Sequence, residues 1–551
     1  MGAPINSNKR QSKFWLLLGS SFVIAALGTP SLSPLLSVFA ASFGYALFWL
    51  ALLMLDAKRR FWPAVFWFAC VQAVQLNWLA STVYMGPFIL IVYLFVIFGL
   101  GLQFGLMSRW IRIPLGLKQI AALSGFWVLM EWVRLFFLTG FTWNPIGLAL
   151  SANGYSIQFA SLFGIYGLCF WVMWTNLFAL NALLEKKRPF LWAVFALLPY
   201  VYGGLQQTLV KPTEGKEMEV ALVQTALRPE QRDRLSFEVG AHIPPFLQWD
   251  RLLSHLQNVE QNQFELIVFP EGTLPGGVKK CGYTFEAVRG MWIDHFGADS
   301  EKDFPPFDKP FAEPTKRGEW RVTNSFLAQS LANHYHSEVI IGLEDSENGK
   351  VYNAALHFKP GNFPSSRYEK QILIPGGEYI PLSNWRWLVD FFSGKFGIQG
   401  SFDAGCQTKV FSGKFPLGIA ICLEETHSSI FREIKRAGAE LFVSITNDVW
   451  FPKTRLPWHH FDHGRIRAAE NGGCLLRACN TGVTAAINCF GEPIQIFPVS
   501  EEKAGVLFLK LPVQSYSTIY TFLGDLPILL ASLGLFVIGL ISPSREKKKL
   551  P

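Results

Sequence analysis

The chain has 551 residues, half of them hydrophobic, with 49 Phe and 19 Trp, so it is too long for one ordinary core and is expected to form two or more domains. Its formal net charge of +8 does not mark a nucleic-acid binder, because sixteen Lys and Arg fall in five short clusters that leave the rest of the chain net acidic. With those clusters set aside, no basic surface for a phosphate backbone remains.

Apolar runs long enough to cross a bilayer occur at 14–30, 34–54, 62–80, 88–107, 119–138, 157–184, 190–205 and 519–541. The first is read as an uncleaved helix rather than a signal peptide, since further spans follow it. The seventh is short and contains Pro199. The basic clusters are Lys9, Arg10, Lys13; Lys58, Arg59, Arg60; Arg109, Arg112, Lys118; Lys186, Lys187, Arg188; and Arg545, Lys547, Lys548, Lys549. They precede the first run and follow the second, fourth, sixth and eighth. The turns after the first, third and fifth runs (GTPSLSP, STVYMGP and TGFTWNPIGLALSANGYS) carry no charge. That alternation predicts an eight-span bundle with both termini cytoplasmic and residues 206–516 outside. The expected division is therefore 1–205 for seven spans, 206–516 for the external domain, and 517–551 for the eighth span and a basic tail.

Within the fifth run, EWVR sets Glu131 and Arg134 three residues apart, on one helix face. Neither charge is tolerable alone in hydrocarbon, so the pair either locks helices together or meets a lipid headgroup.

From residue 218 the period changes. MEVALVQ, FELIVFPE, SEVIIGLE, VYNAALHF, PLGIAICLE, AELFVSITND, CLLRACN, VTAAINCF and AGVLFLKL read as short strands. Helical patterns lie between some of them, near 246–261, 323–335, 427–437 and 461–472, and the alternation predicts a layered α/β domain. Residues 281–320, richer in charge, Gly and Pro, read as an inserted loop or lid.

Three polar residues accompany strands in this domain. Glu271 closes LIVFPEG, Lys370 sits in SSRYEKQILIPGGE, and Cys422 ends PLGIAIC. Each alone has an ordinary reading: a solvated glutamate, a surface lysine, a core thiol. Together they have a chemical logic. A thiol is mostly protonated at neutral pH and needs a base or cation to become a nucleophile. A carboxylate can take its proton and return it to a leaving group. An ammonium can stabilise both the thiolate and the oxyanion of acyl transfer.

FPEG, YEKQILIPGGEYIP and ICLEE resemble the Glu–Lys–Cys signature of the nitrilase superfamily, whose fold is an αββα sandwich. With the spans added, the chain resembles the membrane-embedded apolipoprotein N-acyltransferase family. EWVRLFFLTGFTWN, VALVQ, TNDVWF, PWHHF, RIRAAENGGCLLRACNTGVTA and TIYTFLGDLP extend that likeness over nearly the full length. The resemblance implies Glu271 as general base, Lys370 as oxyanion-stabilising lysine and Cys422 as acyl-accepting nucleophile. It implies supporting roles for Glu378 and Glu424, and places Trp450 near a lipid entrance, with Glu131 and Arg134 as further lipid-binding candidates. It implies a glycerophospholipid donor, a diacylated apolipoprotein acceptor, no cofactor, and a place in the bacterial cytoplasmic membrane with the catalytic domain facing the periplasm. Leu423 where relatives often carry Tyr, FPE for WPE, and Gly376 for Phe are departures that remove no reactive group.

The same triad also serves amidases and nitrilases that hand the acyl group to water, and the span motifs favour transfer. A transporter is disfavoured because few ionisable residues beyond Glu131, Arg134 and Asp525 fall in the spans. His459 and His463 share a helix face in PWHHFDH, but no HExxH or Cys-rich framework accompanies them, so no metal site is expected. Cys281, Cys406, Cys422, Cys474, Cys479 and Cys489 fall in the external domain, where the mechanism requires Cys422 to stay free.

Overall fold

The computed structural model describes residues 7–185, 189–232, 242–257, 263–382, 385–387, 389–390 and 402–541. The basic clusters 186–188 and 545–549, and the end of the helical pattern at 246–261, lie outside the described residues. The chain divides into two compact units: Met1–Thr82 and Gly86–Lys211 with Thr518–Pro551, and Pro212–Ser517 with Val83–Met85.

The first unit is helical. The apolar runs form helices Ser7–Ala26, Pro34–Leu52, Phe61–Gln75, Ile89–Arg109, Leu117–Val133, Ala160–Glu185, Pro189–Leu209 and Leu526–Ile541. Among the described residues, four helical stretches are long and apolar enough to cross a membrane: Pro34–Leu52, Ile89–Arg109, Ser156–Glu185 and Pro189–Leu209. Ends differ from the apolar runs where backbone chemistry intervenes. The last run is split at Gly524, whose φ of 63° stops the helix Ile519–Leu523 before the next begins. Gly164 breaks the long helix in the same way, and the ring of Tyr520 occupies the space its side chain would need. The core is aromatic: Phe104 stacks on Phe68 at 4.5 Å and on Trp49 at 5.6 Å. At the π-helical turn Ala40–Gly44, Asn176 donates to the Ala40 and Ala41 carbonyls and accepts from Tyr45 N–H, which satisfies backbone the turn leaves unpaired.

The second unit carries the strands β1 (Lys216–Gln224), β2 (Leu266–Val268), β3 (Tyr283–Thr284), β4 (Ala312–Pro314), β5 (Trp320–Val322), β6 (Glu338–Glu347), β7 (Lys350–Lys359), β8 (Asn362–Glu369), β9 (Val410–Phe411), β10 (Leu417–Ile421), β11 (Leu441–Thr446), β12 (Cys474–Cys479), β13 (Ala485–Ile487), β14 (Pro493–Ile496) and β15 (Gly505–Val513). They form a six-stranded sheet β15-β1-β2-β6-β7-β8, a second of six, β14-β13-β12-β11-β10-β9, and a small sheet β3-β5-β4. The centres are parallel, β1 with β2 and β6 in one sheet and β10 with β11 and β12 in the other.

Alternation along the strands assigns the faces. Ala221, Val223, Ile267, Val339 and Ile341 pack in one cluster with Trp249, Leu253, Leu327 and Leu331 of the helices Pro245–Ser254 and Asn324–Tyr335. Ala420, Phe442 and Leu475 pack likewise with Phe431, Ile434 and Phe461 from helices Ser428–Arg436 and Leu456–Asn471. The intervening residues, among them Val220, Leu222, Ile419, Val443 and Leu476, are fully buried as well, which explains strands that read as continuous apolar runs.

Residues 281–320 are not a loose cover. They form the helix Phe285–Phe296, strands β3 and β4 and the start of β5, and Val288 and Trp292 are fully buried in the main core. Trp292, Phe296, Phe304 and Phe307 gave the segment enough apolar area to fold onto the domain despite its Gly, Pro and charge. VTAAINCF also differs from expectation: the strand covers only Ala485–Ile487, and Cys489 lies beyond it.

Candidate active site

Glu271, Lys370 and Cys422 each follow the C-terminal end of a strand, β2, β8 and β10 respectively. In open α/β sheets such ends are where ligands gather, because side chains leave the last regular residue there without entering the core. Two different sheets contribute: β2 and β8 belong to the first, β10 to the second.

Lys370 is fully buried, and its Nζ donates to Glu271 Oε1 at 3.0 Å and to Glu378 Oε1 at 2.9 Å. Asn353, on β7, donates through Nδ2 to the same two oxygens, at 2.7 and 2.8 Å. Glu378 is fixed in turn by Ile374 N–H on Oε2 at 2.8 Å. Two carboxylates therefore share one ammonium and one amide. Burial opposes the charge on Lys370, but Glu271 and Glu378 outweigh it and hold the ammonium well above the usual lysine range.

Backbone packing sets Glu271. A Cβ on Gly342 of β6 would lie 2.5 Å from Pro270 O and 2.7 Å from Glu271 Cα, so the glycine lets β6 run directly against the backbone that carries the carboxylate.

Cys422 opens the single turn Cys422–Thr426 with φ at +52°, a left-handed conformation that is strained for a non-glycine residue. The turn lifts the thiol off the end of β10. The residue is buried, and burial first, then the charge of Glu271, pushes its thiol far above the ordinary cysteine range, while Lys370 draws it down. Burial and the Glu271 charge thus favour the thiol form, with the Lys370 cation also within electrostatic reach.

Glu424 joins the two strand ends. Its carboxylate accepts from Ile421 N–H at 2.8 Å beside Cys422 and from Gln371 N–H at 2.6 Å beside Lys370, and Tyr368 Oη donates to both oxygens at 2.9 and 3.0 Å. Burial lifts this carboxyl to about 7 against those hydrogen bonds. A carboxyl whose folded value exceeds its unfolded one binds a proton preferentially in the native state, so its contribution is complete below about 4.5 and is lost as pH rises through about 7. Glu424→Gln is expected to flatten stability between those limits by about 3 kcal/mol, read from unfolding midpoints against pH.

The remaining sequence candidates lie elsewhere. Trp450 is 39% exposed and stands after β11 at the end of the TNDVW turn. Glu131 and Arg134 belong to the helical unit, where they are buried and pair at 3.8 Å. Glu131 Oε1 also accepts from Trp127 Nε1 and Ile146 N–H, and Arg134 Nε donates to Gln103. Their partners lie within that unit. Asn353 and Tyr368 are not among the sequence candidates; Asn353 is a polar residue within the apolar stretch VYNAALHF of β7, its one signal, and Tyr368 lies in the polar strand β8.

Residues 239–519 match the carbon–nitrogen hydrolase family, and residues 24–178 match the apolipoprotein N-acyltransferase N-terminal domain. The chain is 30% identical to the apolipoprotein N-acyltransferase of Chlamydia caviae over 538 residues, covering 93% of this chain and 94% of that protein. It is 31% identical to that of Chlamydia trachomatis serovar D, covering 96% and 97%. The crystal structure of a CN-hydrolase superfamily protein from Xanthomonas campestris is 15% identical with a TM-score of 0.34, covering 60% of this chain and 100% of that one. A carbon–nitrogen hydrolase domain, an apolipoprotein N-acyltransferase N-terminal domain and relatives that align over more than nine-tenths of both chains mean that this chain belongs to the apolipoprotein N-acyltransferase family.

Proposed function

We propose that the chain moves a fatty acyl group from a glycerophospholipid, through a thioester on Cys422, to the α-amine of an N-terminal diacylglyceryl-cysteine. The observation that carries this reading is the buried pairing of Lys370 with Glu271 and Glu378, together with a buried Cys422 at a strained strand end. Glu271 takes the thiol proton as sulfur attacks the donor ester carbonyl. Lys370 and a backbone N–H hold the oxyanion. The C–O bond breaks, and the departing lysophospholipid oxygen takes the proton back from Glu271. The free amine of the acceptor then attacks the thioester and gives its proton to Glu271. The C–S bond breaks to an amide, and the proton returns to sulfur.

Donor, by-product and both acceptor forms are lipids, which suits a domain joined at each end to apolar helices. In this reading all eight apolar runs span the cytoplasmic membrane, the termini are cytoplasmic, and the two six-stranded sheets stack as an αββα sandwich in the periplasm, with limits near 206 and 516. Exposed Leu382, Trp385 and Trp450 on that domain favour a lipid-facing mouth. The buried ties of Glu131 and Arg134 favour a bracing role within the helices.

The test incubates the full chain in phospholipid vesicles with a peptide that begins with diacylglyceryl-cysteine. The expected products are N-acylated peptide and lysophospholipid in equal amounts. Free fatty acid as the sole acyl product assigns the chain to the amidases instead.

A further inference from the structure

A second set of buried charges, which the mechanism above does not use, touches the backbone of Cys422. Asp448 follows β11, His460 lies on the helix Leu456–Asn471, Glu425 is in the turn after Cys422, and Arg477 is on β12. His460, Glu425 and Arg477 are fully buried and Asp448 nearly so. Arg477 Nε donates to both oxygens of Glu425, at 2.9 and 3.1 Å, its Nη2 reaches Asp448 Oδ2 at 3.4 Å, and Ser444 Oγ donates to Glu425 at 3.2 Å. Although burial works against it, His460 and Arg477 hold the Asp448 carboxyl below its usual range.

Burying such a network is costly, and ion pairs of this kind contribute little net stability. Its geometry points to a different use. His460 Nδ1 meets Asp448 Oδ1 at 2.8 Å, and Nε2 meets the Cys422 carbonyl oxygen at 3.1 Å and Glu425 Oε2 at 3.3 Å. A carbonyl oxygen can only accept, so Nε2 is the nitrogen that donates to Cys422. The network thus ends on the one backbone oxygen of the strained nucleophile residue.

We propose that His460, oriented by Asp448 and backed by Glu425 and Arg477, is a positioning residue for the nucleophile. By holding the Cys422 carbonyl it fixes the peptide plane between Cys422 and Leu423. That peptide is planar and trans, so the Leu423 N–H points opposite to the held oxygen. One hydrogen bond therefore sets two things: the left-handed backbone that carries the sulfur, and the direction of the Leu423 N–H next to it. The inference rests on the thioester reading of Cys422.

Two amides of different reach test it. In His460→Gln the side-chain N–H₂ can occupy the place of Nε2 and still donate to the Cys422 carbonyl. In His460→Asn it reaches only the place of Nδ1, keeping Asp448 and losing Cys422. The full-length proteins are mixed with micelles of a dipalmitoyl glycerophospholipid, and the gain of one acyl mass is followed in time. The expected result is an acylation rate for His460→Gln within about threefold of wild type. That of His460→Asn should fall about a hundredfold, the scale of losing one oxyanion donor, with the same final extent of acylation. Asp448→Asn, which weakens the hold on the ring, is expected to slow acylation about tenfold at unchanged extent and unchanged half-saturating phospholipid. Equal rates for the Gln and Asn variants, or a lowered extent at wild-type rate, overturn the proposal and leave the thioester intact. A wild-type protein that gains no acyl mass overturns the thioester reading, and this inference with it.

Discussion

Cys422→Ala is expected to gain no acyl mass from phospholipid and to lose N-acylation by about 10⁴-fold or more, the scale seen when a covalent nucleophile is removed. The variant loses one sulfur from a site that is already 93% shielded, since Cys422 is 7% exposed, and the turn that carries it keeps its hydrogen bonds through Glu424 and His460. Its unfolding midpoint should move by no more than the loss of a small buried group allows, about 1 kcal/mol. The wild-type adduct should be removed by hydroxylamine, as a thioester is and an amide is not. An acyl adduct that persists in Cys422→Ala would place the covalent chemistry on another residue. Cys422→Ser is informative beside it. Burial and the Glu271 charge already hold the thiol protonated, and a hydroxyl is a weaker acid still, so Glu271 would face a harder proton transfer.

The parts of this site that the sequence announces are those whose signal is local. Glu271, Lys370 and Cys422 each stand directly after an apolar or alternating run, so the end of the strand and the reactive group are read in one glance at FPEG, RYEK and AICLEE. Asn353 sends a weaker signal, its polarity within VYNAALHF. It lies inside β7, and its meaning arises only when β7 runs antiparallel between β6 and β8 and brings it between Glu271 and Glu378. The His460 network is hidden for the same reason. Its members come from a turn, a loop, a helix and a strand spread over residues 425–477, and PWHHF reads equally well as the start of a helix. In residues 281–320 Gly, Pro and charge read as loop signals. Trp292, Phe304 and Phe311 carry enough buried area to decide the outcome the other way. In the helical unit, apolar length located the helices, but where they stop depends on Gly164 and Gly524, single positions that a hydropathy pattern averages over.

Lys370→Met is expected to lower activity about a thousandfold or more and to destabilise the second unit by about 3–5 kcal/mol, the cost of leaving buried charge without its partner. The two effects have different origins and can be separated. Lys370 is the shared cation of Glu271 and Glu378; without it their inner oxygens both face the single amide of Asn353, with no positive charge between them. Removing one of those carboxylates should relieve the repulsion. Lys370→Met combined with Glu378→Gln is therefore expected to recover most of the lost stability, a coupling of about 1–3 kcal/mol in a double-mutant cycle. The catalytic loss should remain, because the double variant still lacks the ammonium that the proposed mechanism sets against the thiolate and the oxyanion. Urea or thermal midpoints of the four proteins give the first quantity, and the rate of acyl-mass gain gives the second. If the double variant regained activity together with stability, Lys370 would be a structural counter-ion for the carboxylates and the oxyanion would have to be held by backbone alone.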